Sequence, residues 1–293
     1  MKKNKIAAII PTFNRRECLK ELLSCLKNQN AESVQIQPIV IIDGSSDGTI
    51  EMINECYPDC IKILGDGNWW YTKCINEGIK KAIEINADYI LTLNDDIVFG
   101  DQYISSLLKV NNTVNEPCVI GSVSYTQSVP HRITFSGIKD IISWRLKEIS
   151  YHKKLGELDP AQLKGFNSSV NLSGRGMFFS REVVNKIGLF DQNLVQYGSD
   201  TDFSFRAYKE KIKVLISFES YVFENEKLTS KGASYNKPSA KEFLLSHFNQ
   251  FSINSFKKSF YYFRKHGNII LLPIYFLLIV LGPLKVFFFK YKG

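Results

Sequence analysis

Four aliphatic runs, Ile6–Ile10, Ile39–Ile42, Ile61–Leu64 and Tyr89–Leu93, open this chain, and a helix-period segment follows each of them. Arg15–Gln29 carries Leu19, Leu22, Leu23 and Leu26 at helical spacing, and Thr49–Cys56, Trp69–Ile85 and Gln102–Val110 read as the next three helices. Strand and helix alternating about every 25 residues point to an α/β fold: a mostly parallel sheet with right-handed βαβ crossovers and flanking helices.

The fourth run ends in chemistry. Leu91-Thr92-Leu93 stops at Asn94-Asp95-Asp96 and resumes at Ile97-Val98-Phe99. A buried strand would deliver these acids to the sheet edge, where ligands of open α/β folds bind. Adjacent carboxylates repel and resist desolvation unless a cation sits beside them; the plainer alternative is a polar loop after a strand. No Gly-x-Gly-x-x-Gly follows the first strand, and no Gly-x-x-x-x-Gly-Lys-Ser/Thr occurs. Both a dinucleotide-binding dehydrogenase and a P-loop enzyme therefore fit poorly.

Beyond Val119 the alternation changes. Val119–Tyr125 and Ile133–Ser136 read as strands, Ser143–Phe166 as a flap or acceptor-facing loop, and Val170–Phe179 as a strand broken by glycines. Arg181–Ile187 is a short helix. In Tyr197-Gly198-Ser199-Asp200-Thr201-Asp202, Ser199 reads as an N-cap with two acids in the first turn. Such acids either complement the helix dipole or serve chemistry. Asp47 reads as the cap of the Thr49 helix, and Lys213–Phe218 and Tyr221–Asn225 as two late strands.

Charge divides the chain. Residues 1–230 hold 27 Lys and Arg against 28 Asp and Glu, whereas residues 231–293 hold ten against Glu242 alone. In that tail, phenylalanines recur among Lys257, Lys258, Arg264 and Lys265, and Ile269–Leu284 is uncharged but interrupted by Pro273 and Pro283. The pattern suits either a membrane crossing at the short limit or an interfacial insertion beside anionic lipid. The alternative is a helix packed on the domain or a partner. No nucleic-acid motif accompanies the bases. Cys18, Cys25, Cys56, Cys60, Cys74 and Cys118 show no Cys-x-x-Cys spacing, as expected of reduced thiols. The apolar run after Met1 is too short for a signal peptide.

Taken together, residues 5–230 resemble the inverting family 2 glycosyltransferases of GT-A fold, and more narrowly the rhamnosyltransferase-like branch of bacterial surface-polysaccharide synthesis. Pro11-Thr12-Phe13-Asn14-Arg15 is similar to the family loop that lies against the nucleotide, which implies donor-binding roles for Pro11, Thr12, Asn14 and Arg15. Ile42-Asp43-Gly44-Ser45-Ser46-Asp47-Gly48-Thr49 resembles the turn whose acid, here Asp43, contacts base or ribose. Gly67-Asn68-Trp69-Trp70 through Asn76-Glu77-Gly78-Ile79 looks like the branch's donor-side segment, which would place Asn68, Trp69, Trp70 and Asn76 at the donor. From the residues themselves, the two tryptophans shape a pocket or pack a helix. Asn94-Asp95-Asp96 resembles the Asp-x-Asp motif, with Asp96 as metal ligand and Asn94 and Asp95 on the donor; Asn94 departs from the motif's first acid. Asp200 resembles the family's base, with Asp202, Arg206 and Gly174 in acceptor or supporting roles. Ser199 stands where a Glu is frequent, and Glu224-Asn225 where the wider family has a histidine.

The expected reaction is metal-dependent sugar transfer with inversion. A Mg²⁺ or Mn²⁺ ion at Asp96 would draw charge from the leaving diphosphate, and Asp200 would deprotonate the acceptor hydroxyl of a glycan or lipid-linked glycan. The expected organisation is a catalytic domain over residues 1–237 and a membrane-associating tail over 238–293, on the cytoplasmic face of a bacterial inner membrane. The rival readings are a sugar nucleotidyltransferase and a non-catalytic nucleotide-sugar-binding scaffold.

Overall fold

The computed structural model describes residues 3–142, 146–225 and 239–291. Ser143–Arg145, within the expected flap, and the 237/238 domain boundary lie outside these residues.

Strands β1 (Asn4–Thr12), β2 (Val34–Asp43), β3 (Ile61–Gly65) and β4 (Tyr89–Thr92) are parallel and lie in the order β3-β2-β1-β4. Helices α1 (Arg16–Lys27), α2 (Thr49–Cys56) and α3 (Trp70–Glu84) make the crossovers, and α4 (Tyr103–Val114) follows the short strand β5 (Ile97–Val98). Side chains of a strand alternate between sheet faces. Ile6, Ala8 and Ile10 thus face α1, α2 and α4, while Ala7 and Ile9 face α3. Every residue from Ile6 to Ile10 is fully buried, as a central strand covered on both faces requires.

The second half of the sheet is β6 (Cys118–Thr126), which carries β7 (Ile133–Phe135) at its side, and β12 (Lys213–Glu224). Between β4 and β6 lies β11 (Met177–Ser180), antiparallel to both. The expected long strand over Val170–Phe179 is confined to that segment. The two expected late strands are one strand, β12, whose register on β6 shifts between Ser217 and Tyr221; the bulge breaks the hydrophobic pattern without ending the strand.

Part of the expected irregular flap is ordered. Strands β8 (Ile138–Ile142) and β9 (Lys147–Ser150) pair as a hairpin, and β10 (Phe166–Ser168) pairs with β12. All of β9 is exposed, so no buried face imprinted an alternation on its sequence. Helices α5 (Arg181–Ile187) and α6 (Ser199–Lys209) cover the α3 face. Gly198, at φ +88°, caps α6 in place of the expected Ser199, whose hydroxyl instead meets Thr72 Oγ1 at 2.7 Å. Asp47 accepts from the Thr49 hydroxyl at 2.5 Å, at the first residue of α2 as expected, and also from the Arg16 N–H at 2.9 Å, so it joins the starts of α1 and α2.

The tail forms α7 (Ala240–Phe248), α8 (Phe256–His266) and α9 (Leu272–Tyr291). Helix α8 is bolted to α6: the fully buried Asp202 accepts from His266 Nε2 at 2.7 Å and pairs with Lys265 at 2.6 Å, and Lys265 also pairs with Asp191. Among the described residues no helix is long and apolar enough to cross a membrane.

Candidate active site

Strand order reverses at β1, whose neighbours are β2 on one side and β4 on the other, and chain exits diverge at such a point to leave a crevice. A cleft of about 480 Å³ opens there. Pro11, Thr12 and Arg15 enter from the end of β1, Asp43 from β2, Asn94 and Asp95 from β4, and Trp70 from the start of α3. These are seven of the donor-side residues named from the sequence.

Asp95 and Asp96 are buried and share one counter-ion. Arg15 Nη1 lies 3.0 Å from Asp95 Oδ1 and 3.0 Å from Asp96 Oδ2, and the Thr12 hydroxyl donates to Asp95 Oδ2 at 2.8 Å. Burial, helped by the Asp96 charge and opposed by Arg15, pushes the Asp95 carboxyl up to about 6. Asp43 accepts from the backbone N–H groups of Gly67, Trp69 and Trp70 at 2.8–3.0 Å, closing the turn before α3. That turn holds Trp70 at φ +57°, a conformation that costs a bulky side chain about 1–3 kcal/mol. The cost is borne at a residue that lines the cleft.

Asp200 comes from the first turn of α6. Its carboxylate is oriented by the Gly174 N–H at 2.8 Å and the Thr201 N–H at 2.9 Å. A β-carbon at Gly174 would overlap the Tyr71 hydroxyl, so the glycine lets Tyr71, Gly174 and Asp200 converge. Burial and the Asp200 charge both raise the Tyr71 phenol. Arg175, next along the chain, pairs with Glu224 and lies in the fields of both Asp96 and Asp200. Burial lowers its guanidinium and the two aspartates oppose that effect. The two acids named for metal and base thus bear on one guanidinium.

Other expected site residues lie elsewhere. Asn76 is buried, with both amide atoms bonded to the backbone of Phe190 at 2.8 and 3.0 Å, so it clamps α3 to the loop before α6. Trp69 packs in the α3 core under Lys73, while Trp70 turns into the cleft. Asn68 is exposed and held to Asp66 through its backbone. Asn14 joins the β1 and β2 exit loops through Ser45 and Ser46. Asp202 binds Arg206 Nε at 2.8 Å, and Arg206 also donates to the carbonyls of Ile187 and Leu189; both residues support α6.

The sequence reading passed over Tyr71, Arg175, Glu224, Phe251 and Lys258 as site residues. The glycines flanking Arg175 were a usable signal, because paired glycines mark close backbone approach. Phe251 and Lys258 carried none. Phe251 stacks on Trp70 with ring centroids 3.9 Å apart, and Lys258 reaches the Tyr197–Asp200 turn.

Asp96 Oδ1 is buried without a hydrogen-bond partner. Among the described residues no three His, Cys, Asp or Glu side chains gather as a metal cage. A single orphaned carboxylate oxygen fits a hard cation that takes one or two protein ligands and completes its shell with water and substrate phosphates.

The family model for Glycosyl transferase family 2 matches residues 7–188. The chain is 24% identical to chondroitin synthase of Escherichia coli over 225 residues, 70% of this chain and 32% of that protein. It is 24% identical to chondroitin synthase of Pasteurella multocida over 69% of this chain and 23% of that protein, so it spans about a third or less of either synthase. It is 22% identical to the GalNAc(5)-diNAcBac-PP-undecaprenol beta-1,3-glucosyltransferase of Campylobacter jejuni, over 83% of this chain and 81% of that protein. With a GT-A sheet and its acids at the switch point, the chain belongs to glycosyltransferase family 2.

Proposed function

We propose that this enzyme moves a sugar, with inversion and with a divalent cation, from a nucleoside diphosphate donor to a hydroxyl of a glycan or lipid-linked glycan in bacterial surface-polysaccharide synthesis. The observation that carries this reading is the orphaned Asp96 Oδ1, together with an Arg175 guanidinium that feels the charges of both Asp96 and Asp200. Asp96, with Asp95 beside it, would hold a Mg²⁺ or Mn²⁺ ion, which would supply an electrophile for charge collecting on the leaving diphosphate.

The protein's own groups do the rest. Arg15 sits in the cleft as a fixed cation, and Trp70 gives it an aromatic wall. Each Asp200 oxygen takes one backbone N–H, which orients the carboxylate and leaves lone pairs to receive the acceptor hydroxyl's proton. Such a base contributes typically about 10²–10⁴-fold in rate. One base with no second carboxylate acting as nucleophile makes a single displacement, hence inversion.

We extend the reading to attachment at the cytoplasmic face of the inner membrane. An apolar groove between α8 and α9 is lined by Phe256, Phe260 and Phe276 and rimmed by Lys257 and Arg264. Ile270, Ile274, Leu277 and Leu281 are exposed along the apolar segment. Apolar surface edged with cations matches the interface of an anionic leaflet. The Campylobacter relative's PP-undecaprenol acceptor supports a lipid-linked substrate.

The test is a panel of UDP-, dTDP- and GDP-sugars with Mn²⁺, read as nucleoside diphosphate release and the anomeric configuration of the product. Asp200→Asn should abolish transfer and leave Mn²⁺-dependent UDP binding within about twofold of wild type. Retention of configuration, or unchanged turnover in that variant, would overturn the assignment.

A further inference from the structure

We propose that Lys258 is a positioning residue for the transfer step, brought by α8 against the Tyr197–Gly198 turn that leads into Asp200, so that residues 239–267 complete the acceptor side of the site rather than serving only as a tether. The inference rests on the reading of Asp200 as base.

Helix α8 has two basic stripes. Lys257 and Arg264 rim the outer groove, while Lys258 and Lys265, seven residues apart, turn toward the catalytic unit. The two inward lysines do different things. Lys265, with His266, closes on Asp202 and Asp191, which already docks the helix. Lys258 takes no part in those ion pairs. Its stem comes within 4.0 Å of the β-carbon position of Gly198, and its ammonium lies 5.7 Å above the Tyr197 ring and donates to the Ile253 carbonyl at 2.5 Å. Phe251, seven residues earlier in the tail, stacks on Trp70, which lines the cleft.

A half-buried ammonium is costly without a nearby anion. Burial pushes Lys258 down to about 8, and Asp200 is the charge that acts in the other direction. The groups around this pair are Tyr197 before α6, Tyr71 from α3, Arg175 before β11 and Tyr262 one turn along α8. Lys258 therefore supplies a cation to the base at neutral pH and withdraws it in mild alkali. A proton arriving on Asp200 from the acceptor, and the negative charge present before it, are both felt by this ammonium.

The experiment uses the full chain with Lys258→Met and Lys258→Arg. Rates are read as nucleoside diphosphate release from whichever sugar nucleotide of the panel is turned over, and UDP with Mn²⁺ is the binding probe. Lys258→Met should lower kcat by about 10–100-fold with UDP affinity within about twofold. The wild-type rate should fall above about pH 8, and Lys258→Arg, whose guanidinium stays charged, should keep its rate there. Wild-type kcat in the methionine variant, or coincident alkaline limbs for wild type and the arginine variant, overturns the proposal. A second measurement needs no sugar donor. NMR titration of ¹³C-methylated lysines should show a resonance near pH 8 that is missing in Lys258→Arg and moves to lower pH in Asp200→Asn. If that resonance ignores Asp200→Asn the pairing is wrong, whatever the donor. If it moves but no donor is turned over, the pairing stands and the reading of function fails.

Discussion

Asp202 and His266 meet at 2.7 Å across 64 residues of sequence, in a site that water does not reach. Lys265 and Arg206 bond the same carboxylate, so a residue from the charge-balanced part of the chain is the anchor of its basic tail.

This anchor predicts an acid-sensitive fold. Burial raises the Asp202 carboxyl, but hydrogen bonds from His266, Lys265 and Arg206 outweigh it and hold the group below the usual carboxylate range. Its contribution is therefore complete above the unfolded value of about 3.9 and is lost as pH falls through the lower folded value. Asp202→Asn leaves Arg206 without its carboxylate and Lys265 with Asp191 alone, and should cost about 3–5 kcal/mol near neutrality. Urea midpoints from pH 3 to 7 should show the variant's stability depending less on pH than wild type below about 4.

Gly174 and Tyr71 predict a paired rescue. Gly174→Ala should cost about 1–3 kcal/mol and displace Asp200, because the new methyl meets the Tyr71 hydroxyl. Tyr71→Phe in the same chain removes the colliding oxygen. Thermal unfolding of the double variant should recover part of the loss, and additive losses would refute the contact.

Asn76 predicts a separation of stability from binding. Asn76→Ala strips partners from two buried Phe190 backbone groups and should destabilise by about 1–3 kcal/mol. Calorimetric UDP affinity of the folded variant should match wild type, since the side chain does not line the cleft. A weakened UDP site at unchanged stability would instead make Asn76 a donor ligand.

Asp96 predicts the metal response. Asp96→Asn neutralises the carboxylate bearing the orphaned oxygen, so UDP affinity should lose its dependence on Mn²⁺. Titrating UDP with and without Mn²⁺ checks this; a variant that keeps the full Mn²⁺ enhancement would place the ion elsewhere.

The sequence by itself determined the βαβ order from β1 to α4 and the arrival of Thr12, Asp43, Asn94 and Asp95 at one sheet edge. Those facts follow from local periodicity: an aliphatic run buried on both faces must be a core strand, and whatever follows it emerges at the rim. Tertiary structure alone decided that Trp70 and not Trp69 enters the cleft, that Asn76 is a clamp, and that β11 runs antiparallel between β4 and β6. It also decided that Phe251, Lys258 and His266 reach back to the catalytic unit. A periodic stripe tells which side of a helix is covered but not what covers it. Pairings across scores of residues are selected by charge and shape in the folded chain, and no local pattern records them.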